Sequence, residues 1–247
     1  MKLKVISSCS EGNCYLLESS EGSTLVLEAG VRFSEIKQAL GFNLSKVVGC
    51  LVTHRHNDHA KSVVYMLRAG INVYSSEDVF LAKHSVDNNF ACVLNEMRKE
   101  PLQGDFLVTA LKAYHDVPCY AYIIEHPEMG KLLFATDTFK LPYYVRGLNH
   151  LMIECNYQDD VLQWNEEQGR CPLTLRDRLM LTHMELKTTK MVVKKNLSER
   201  LQDIVLVHLS NDNSNFEHMQ KDISSVSGLP VYIAKAGLTI NLDYDPY

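Results

Sequence analysis

The sequence predicts an α/β (α+β) fold in which two mixed sheets carry helices on their outer faces. Two observations predict it. Short runs rich in β-branched and apolar residues recur along all 247 residues, and segments of helical period separate them. The chain also has no low-complexity tract, linker or close internal repeat to divide it, so residues 1–247 are expected to form a single domain.

The elements follow in order. Lys2 to Ser7, Cys14 to Glu18 and Thr24 to Glu28 predict consecutive strands, with Ser19-Ser-Glu-Gly22 as the turn between the last two. Phe33 to Leu40 predicts a short amphipathic helix with Ser34 as N-cap. Val47 to Thr53 is a buried strand, and a helix starting near His59 continues through Val63, Val64 and Leu67. Ile71 to Tyr74 predicts a strand and Glu77 to His84 a helix. Asp105 to Tyr114, Cys119 to Glu125 and Lys131 to Ala135 are strands, the last two joined by a hairpin at Pro127 to Gly130. Leu151 to Glu154 is a strand, and Leu173 to Leu179 and Leu186 to Lys195 are helices. Ile204 to His208 is a strand and Asn215 to Val226 a helix, with closing strands at Val231 to Ala234 and Thr239 to Leu242. A doubly wound Rossmann layout is the alternative, but the N-terminal segment offers Cys9-Ser-Glu-Gly-Asn-Cys14 and not G-x-G-x-x-G.

A formal charge of −5 gives no global electrostatic reason to bind nucleic acid or an anionic membrane. Seven cysteines, an odd number without a C-x-x-C pair, predict reduced thiols. Met1 to Ser8 lacks the apolar core of a signal peptide, and no run approaches the about 18 apolar residues of a membrane helix. A cytoplasmic protein without a membrane partner is expected.

The densest chemical signal is His54-Arg-His-Asn-Asp-His59, an H-x-H-x-D-H motif at the end of the strand from Val47. It crowds three imidazoles and the carboxylate of Asp58 into a strand-to-helix turn. Such donors suit zinc and similar divalent ions. Three more polar residues interrupt or end apolar strands: His115, Asp137 and His208. Burying them without partners is costly. Together they complete a two-metal count. His54, His56 and His115 would hold one ion, and Asp58, His59 and His208 the other. Asp137 would bridge them, since a carboxylate can span the about 3.5–4 Å between paired catalytic metals.

This pattern resembles the metallo-β-lactamase-fold hydrolase superfamily over essentially the whole chain. The resemblance implies a four-layer αββα sandwich with two divalent ions at one edge of the sheets. Ser7-Ser-Cys-Ser-Glu-Gly-Asn-Cys-Tyr15, Tyr114-His-Asp116 and Leu206-Val-His-Leu-Ser-Asn-Asp-Asn-Ser214 are similar to segments of bacterial YycJ/WalJ-type proteins, exonuclease-like relatives of RNase Z. By the same match His183, in Arg176-Asp-Arg-Leu-Met-Leu-Thr-His-Met-Glu185, is a candidate general acid; a helix-capping role is the alternative. The chain departs from that pattern at Glu28, where the superfamily usually has Asp, and at Thr-His-Met-Glu in place of Gly-His-Leu-Ser. No inserted β-CASP domain fits between Asp137 and His208, and no long exosite arm of the RNase Z kind is present.

The expected function is phosphodiester hydrolysis by a dinuclear site that activates water, with Asp58 and His183 as catalytic residues. Zinc suits the histidines and manganese the oxygen-rich half. A DNA or RNA nuclease, exonuclease-like, is the main reading. A cyclic-nucleotide phosphodiesterase of the same fold is an alternative, and a homodimer would suit its closed pocket. A non-catalytic zinc-containing binding protein is a further alternative, although structural zinc normally takes four ligands at one ion. The stretch Lys187 to Lys195, preceded by Arg176 and Arg178, is the candidate phosphate-backbone surface, and Tyr143, Tyr144 and Arg146 are candidates to meet a base. His84, His126, His150 and His218 are expected to be surface or structural.

Overall fold

The computed structural model describes residues 1–244. The first half of the chain forms strands β1 (Lys2–Cys9), β2 (Gly12–Glu18) and β3 (Thr24–Leu27), helix α1 (Phe33–Ala39) and strand β4 (Val47–Leu51). Helices α2 (Asn57–Ala60) and α3 (Val63–Arg68), strand β5 (Val73–Ser75), helix α4 (Glu77–Ala82) and strand β6 (Ala91–Val93) complete it. The second half forms β7 (Lys99–Pro101), β8 (Leu107–Tyr114), β9 (Pro118–His126), β10 (Gly130–Ala135) and β11 (His150–Glu154). Helices α5 (Asp159–Glu167), α6 (Leu173–Thr182) and α7 (Leu186–Asn196) follow, then β12 (Asp203–Val207), α8 (Phe216–Ser227), β13 (Val231–Ile233) and β14 (Thr239–Asn241).

Two seven-stranded sheets result, in the orders β14-β1-β2-β3-β4-β5-β6 and β13-β12-β11-β10-β9-β8-β7. This excludes the single doubly wound sheet. Each sheet has an antiparallel half and a parallel half: β1, β2 and β3 pair antiparallel and β4 to β6 parallel. In the same way β8, β9 and β10 pair antiparallel and β11 to β13 parallel. The second half therefore repeats the topology of the first without repeating its sequence. A carboxylate in left-handed backbone follows the third strand of each set, Glu28 (φ 65°) after β3 and Asp137 (φ 49°) after β10.

One core cluster joins the facing surfaces of the sheets, with Leu3, Tyr15 and Leu27 from the first against Val108, Tyr122, Phe134 and Val205 from the second. Tyr15 and Phe134 meet edge to face at 5.7 Å between ring centroids, a pairing worth about 0.5–1.5 kcal/mol beyond its buried area. On the outer faces, α1 to α4 contribute Ile36, Ala60, Met66 and Phe80 to a second cluster. Helices α7 and α8 contribute Val193 and Ile223 to a third. The layers thus read helix, sheet, sheet, helix.

Several boundaries differ from the expectation for physical reasons. Arg32, not Ser34, is the N-cap of α1, with no side-chain cap bond. The helix expected from His59 through Leu67 is broken, because Ser62 turns back to bond the carbonyls of Ala29 and Val31. Strands β6 and β7 have three residues each and little alternation, and α5 is polar on most of its surface, so none of these was expected. Strands β4 and β12 stop at Leu51 and Val207, short of the expected Thr53 and His208. His208 leaves strand geometry at φ 54°.

Candidate metal centre

The strand ends determine what meets. In the parallel half of each sheet the C-terminal ends of neighbouring strands point the same way, so residues just beyond β3, β4, β10, β11 and β12 gather at one edge of the sandwich. The structure brings all seven expected ligands to that edge. His54, His56 and His115 form one group, and Asp58, His59, Asp137 and His208 another; within each, the potential ligand atoms lie within 4.8 Å of one another. Asp137 lies between them, its Oδ2 3.9 Å from His54 Nε2 and 3.8 Å from His115 Nε2, and its Oδ1 3.2 Å from His59 Nε2.

Each imidazole turns one nitrogen to a protein partner and the other towards the group. His115 Nδ1 donates to the Thr182 carbonyl at 2.9 Å. A carbonyl only accepts, so Nδ1 carries a proton, and Nε2 faces the cluster. His208 Nδ1 lies 3.2 Å from Glu154 Oε1, His54 Nδ1 3.0 Å from Thr53 Oγ1, and His59 Nδ1 3.4 Å from Glu28 Oε1. His56 is turned the other way, its Nε2 3.4 Å from Asp116 Oδ1 and its Nδ1 3.3 Å from His115 Nε2. Among the described residues, the buried Nε2 atoms of His54 and His208 have no hydrogen-bond partner. Unpartnered buried nitrogens are costly, and paired with oriented rings they are what divalent ions require of their ligands. The residues fit a metal pair.

Charge is balanced in the same sense. Burial, reinforced by His59, holds His54 well below the ordinary histidine range, which favours the neutral, coordinating form. Burial would lower His208 too, but the carboxylate of Asp137, with those of Asp58 and Glu154, raises it to about 10. Burial would raise Asp137, yet His208 and His59 hold it well below the usual carboxylate range. Ions that take up these ligands must displace protons from the imidazoles.

The backbone serves this packing. Asp137 and His208 both lie in the left-handed region, φ 49° and 54°, a conformation that costs about 1–3 kcal/mol at a non-glycine residue. The His208 amide donates to Ser8 Oγ at 2.9 Å, and Thr136 Oγ1 donates to Asp137 Oδ1 at 2.8 Å. Gly30 lets the loop after β3 touch α2: a Cβ there would lie 1.6 Å from the Asp58 carbonyl oxygen. No side chain fits without moving Asp58 and His59.

His183 is the C-cap of α6, and its Nδ1 bonds Glu154 Oε1 at 2.6 Å. Its ring stacks on His208 at 5.3 Å between centroids. Sequence reasoning missed Glu154 as a site residue, although it ends an apolar strand as Asp137 and His208 do. It is fully buried, and its Oε2 accepts from the amides of Thr138 and Met184. Asp116 stands 3.1 Å from His115 Nε2 with its side chain partly exposed. Glu28 lies behind His59, where a longer carboxylate reaches from the turn after β3.

Other expectations are relocated. The lysine stripe of α7 is neutralised in its first half, with Lys187 paired to Asp159 at 2.7 Å and Lys190 to Asp222 at 2.8 Å, and Arg176 pairs with Glu166 at 3.0 Å, while Lys194 and Lys195 have no carboxylate partner among the described residues. Arg146 lines a cavity of about 1010 Å³ with Gly130 and Lys131, at the end of β10 opposite Asp137. The Tyr143 carbonyl is tied to Asn196 of α7, and Tyr144 is exposed. His150 is buried against Asp203 at 2.9 Å, and His126 bonds the Gly104 carbonyl at 3.0 Å.

Comparison with known proteins agrees with this fold. Residues 8–86 match the family model of the metallo-beta-lactamase superfamily. The exodeoxyribonuclease YycJ of Bacillus anthracis is 26% identical over 92% of this chain and 89% of its own length. The exodeoxyribonuclease WalJ of Streptococcus pneumoniae is 24% identical over 100% of this chain and 93% of its own. Among solved structures, the metallo-beta-lactamase fold protein YhfI from Bacillus subtilis superposes with a TM-score of 0.74, covering 97% of this chain and 98% of that one at 18% identity. That likeness shows the fold.

Proposed function

The chain carries a metallo-β-lactamase superfamily domain, and on that premise we propose that it is a cytoplasmic nuclease, exonuclease-like, that hydrolyses phosphodiesters with a pair of divalent ions. His54, His56 and His115 would hold one ion, Asp58, His59 and His208 the other, and Asp137 would bridge them. Zinc is the ion we expect, with manganese as a substitute in the oxygen-rich half. When bound, such a pair supplies Lewis-acid stabilisation of the phosphoryl oxygens and lowers the pKa of water. Because one core joins both sheets, we take the chain to act as one domain.

The observation that carries this reading is the orientation of the rings: each of the five imidazoles turns one nitrogen to a neighbouring protein group and the other to Asp137, to Asp58 or to another ring. The carboxylate in the middle favours phosphate chemistry, since oxygen donors suit hard ions that bind phosphate oxygens. Glu154 is fixed by two amides and holds the ring of His183, which faces the cluster with Nδ1 4.0 Å from Asp137 Oδ2. A histidine so held can give a proton to a departing alkoxide. Asp58, partly exposed at the same edge, orients His59 from 3.2 Å and adds negative charge to the second group. No described helix is long and apolar enough to cross a membrane.

Turnover by the metal-loaded protein tests the proposal. Substrates are bis(p-nitrophenyl) phosphate, end-labelled single- and double-stranded DNA and RNA, and cyclic nucleotides, with Asp58→Ala alongside. We expect metal-dependent shortening of a polymer that the variant does not perform. Cleavage of cyclic nucleotides alone would replace the nuclease reading with the small-substrate one, and inactivity on every diester with two ions bound would overturn phosphodiester chemistry.

A further inference from the structure

Strand β8 delivers His115 to the metal centre and places Tyr114 immediately before it. The loop after Asp137 is stapled to this point. The Tyr114 amide donates to Thr138 Oγ1 at 2.9 Å, Thr138 Oγ1 donates to the Lys140 carbonyl at 2.7 Å, and the Phe139 amide donates to the Tyr114 carbonyl at 3.1 Å. Thr138 is itself anchored, its amide donating to Glu154. The result is a fixed pair of rings, Tyr114 and Phe139, edge to face at 5.9 Å, both only half-buried. The Lys140 ammonium lies over them, 4.3 Å from the Tyr114 centroid and 5.1 Å from that of Phe139. Lys112 approaches the same Tyr114 ring at 5.8 Å.

Of the α7 cations, Lys187 and Lys190 are spent on Asp159 and Asp222, while Lys194 and Lys195 at its far end have no carboxylate partner among the described residues; Arg55, beside the histidines, is paired with Asp78 at 3.1 Å. Among the described residues no carboxylate lies within salt-bridge distance of Lys112 or Lys140. An exposed ammonium resting on a ring face is held weakly, and a phosphate oxygen offers it a charge-assisted hydrogen bond that the ring cannot. The phosphate of a nucleotide next to the scissile one would draw Lys140 off Tyr114 and leave an aromatic face open to a base. Aromatic faces beside free cations are the elements with which proteins hold unpaired nucleotides.

We propose that Tyr114, Phe139 and Lys140 form a platform that binds one unpaired nucleotide next to the scissile phosphate, the rings stacking on the base and Lys140 contacting its phosphate. This rests on the phosphodiesterase reading above and deepens it: the substrate strand is single-stranded where it enters the site.

The test uses the full-length, metal-loaded protein and a labelled single-stranded phosphorothioate oligonucleotide, chosen because it is cut slowly. Lys140→Gln should weaken binding about 10-fold and flatten the salt dependence by about 0.7 in log–log slope, the signature of one lost phosphate contact on a single strand. Phe139→Leu, which keeps apolar packing while removing the ring, should weaken binding by about 10-fold with the salt slope unchanged. Both should take up the parental metal content and keep the parental circular-dichroism spectrum, which shows that they fold. Unchanged oligonucleotide affinity in both variants overturns the platform. A parent that binds the oligonucleotide through Lys140 but hydrolyses no diester would instead overturn the phosphodiesterase reading and leave the platform standing.

Discussion

Asp137→Asn is expected to reduce diester turnover by at least about 1000-fold, ~4 kcal/mol of transition-state stabilisation, and to lower the metal content below two ions per chain. The replacement keeps the volume of the side chain and removes its charge. That charge faces His54, His59, His115, His183 and His208, all within 4.0 Å. It is the largest of the forces that raise His59 and His208 against burial. Without it the two ring groups lose the one side chain they share, and a neutral amide offers a single, weaker oxygen in place of two charged ones. Elemental analysis and turnover on one preparation check both halves of the expectation. Parental activity with two ions bound would remove Asp137 from the bridging position.

The second large effect is at His183. His183→Gln can still bond Glu154 but cannot deliver a proton, so metal content should stay at the parental level while the chemical step slows about 100- to 10,000-fold on substrates with an alkoxide leaving group. On bis(p-nitrophenyl) phosphate, whose leaving group departs without help, the loss should be far smaller. That contrast separates a proton donor from a residue that merely supports the fold. Equal slowing on both substrates, or loss of folding, would make the histidine structural. Its position as the cap of α6, bonded at 2.6 Å to a fully buried carboxylate, makes the ring rigid, as a donor must be.

The fold was legible where the chain alternates sharply. Strands β8 to β10 and β12 are long apolar runs bounded by turns, and their expected limits fall within three residues of those observed. Strands β6 (Ala-Cys-Val) and β7 (Lys-Glu-Pro) were illegible because they carry few β-branched or aromatic residues, unlike the equally short edge strands β13 (Val-Tyr-Ile) and β14 (Thr-Ile-Asn). The topological repeat of the two halves was invisible because it is carried by strand direction and not by residue identity. For the candidate site, the H-x-H-x-D-H turn announced itself by density, and His115, Asp137 and His208 by interrupting apolar strands. Glu154 obeys the same rule and was passed over because a carboxylate at a strand end reads as its polar boundary. The partner that gives it meaning, His183, lies 29 residues further on. The basic face of α7 misled for the converse reason: Lys187, Lys190 and Lys194 share a helix face in sequence, but the acids that neutralise the first two come from α5 and α8.

The central claim is that two ions act together at this edge of the sandwich. Titrating the chelator-stripped protein with zinc, and separately with manganese, while following diester turnover tests it most directly. The account predicts two equivalents bound per chain, with turnover rising steeply only as the second is taken up. Full activity at one equivalent, or two equivalents bound with no turnover of any diester, would contradict it.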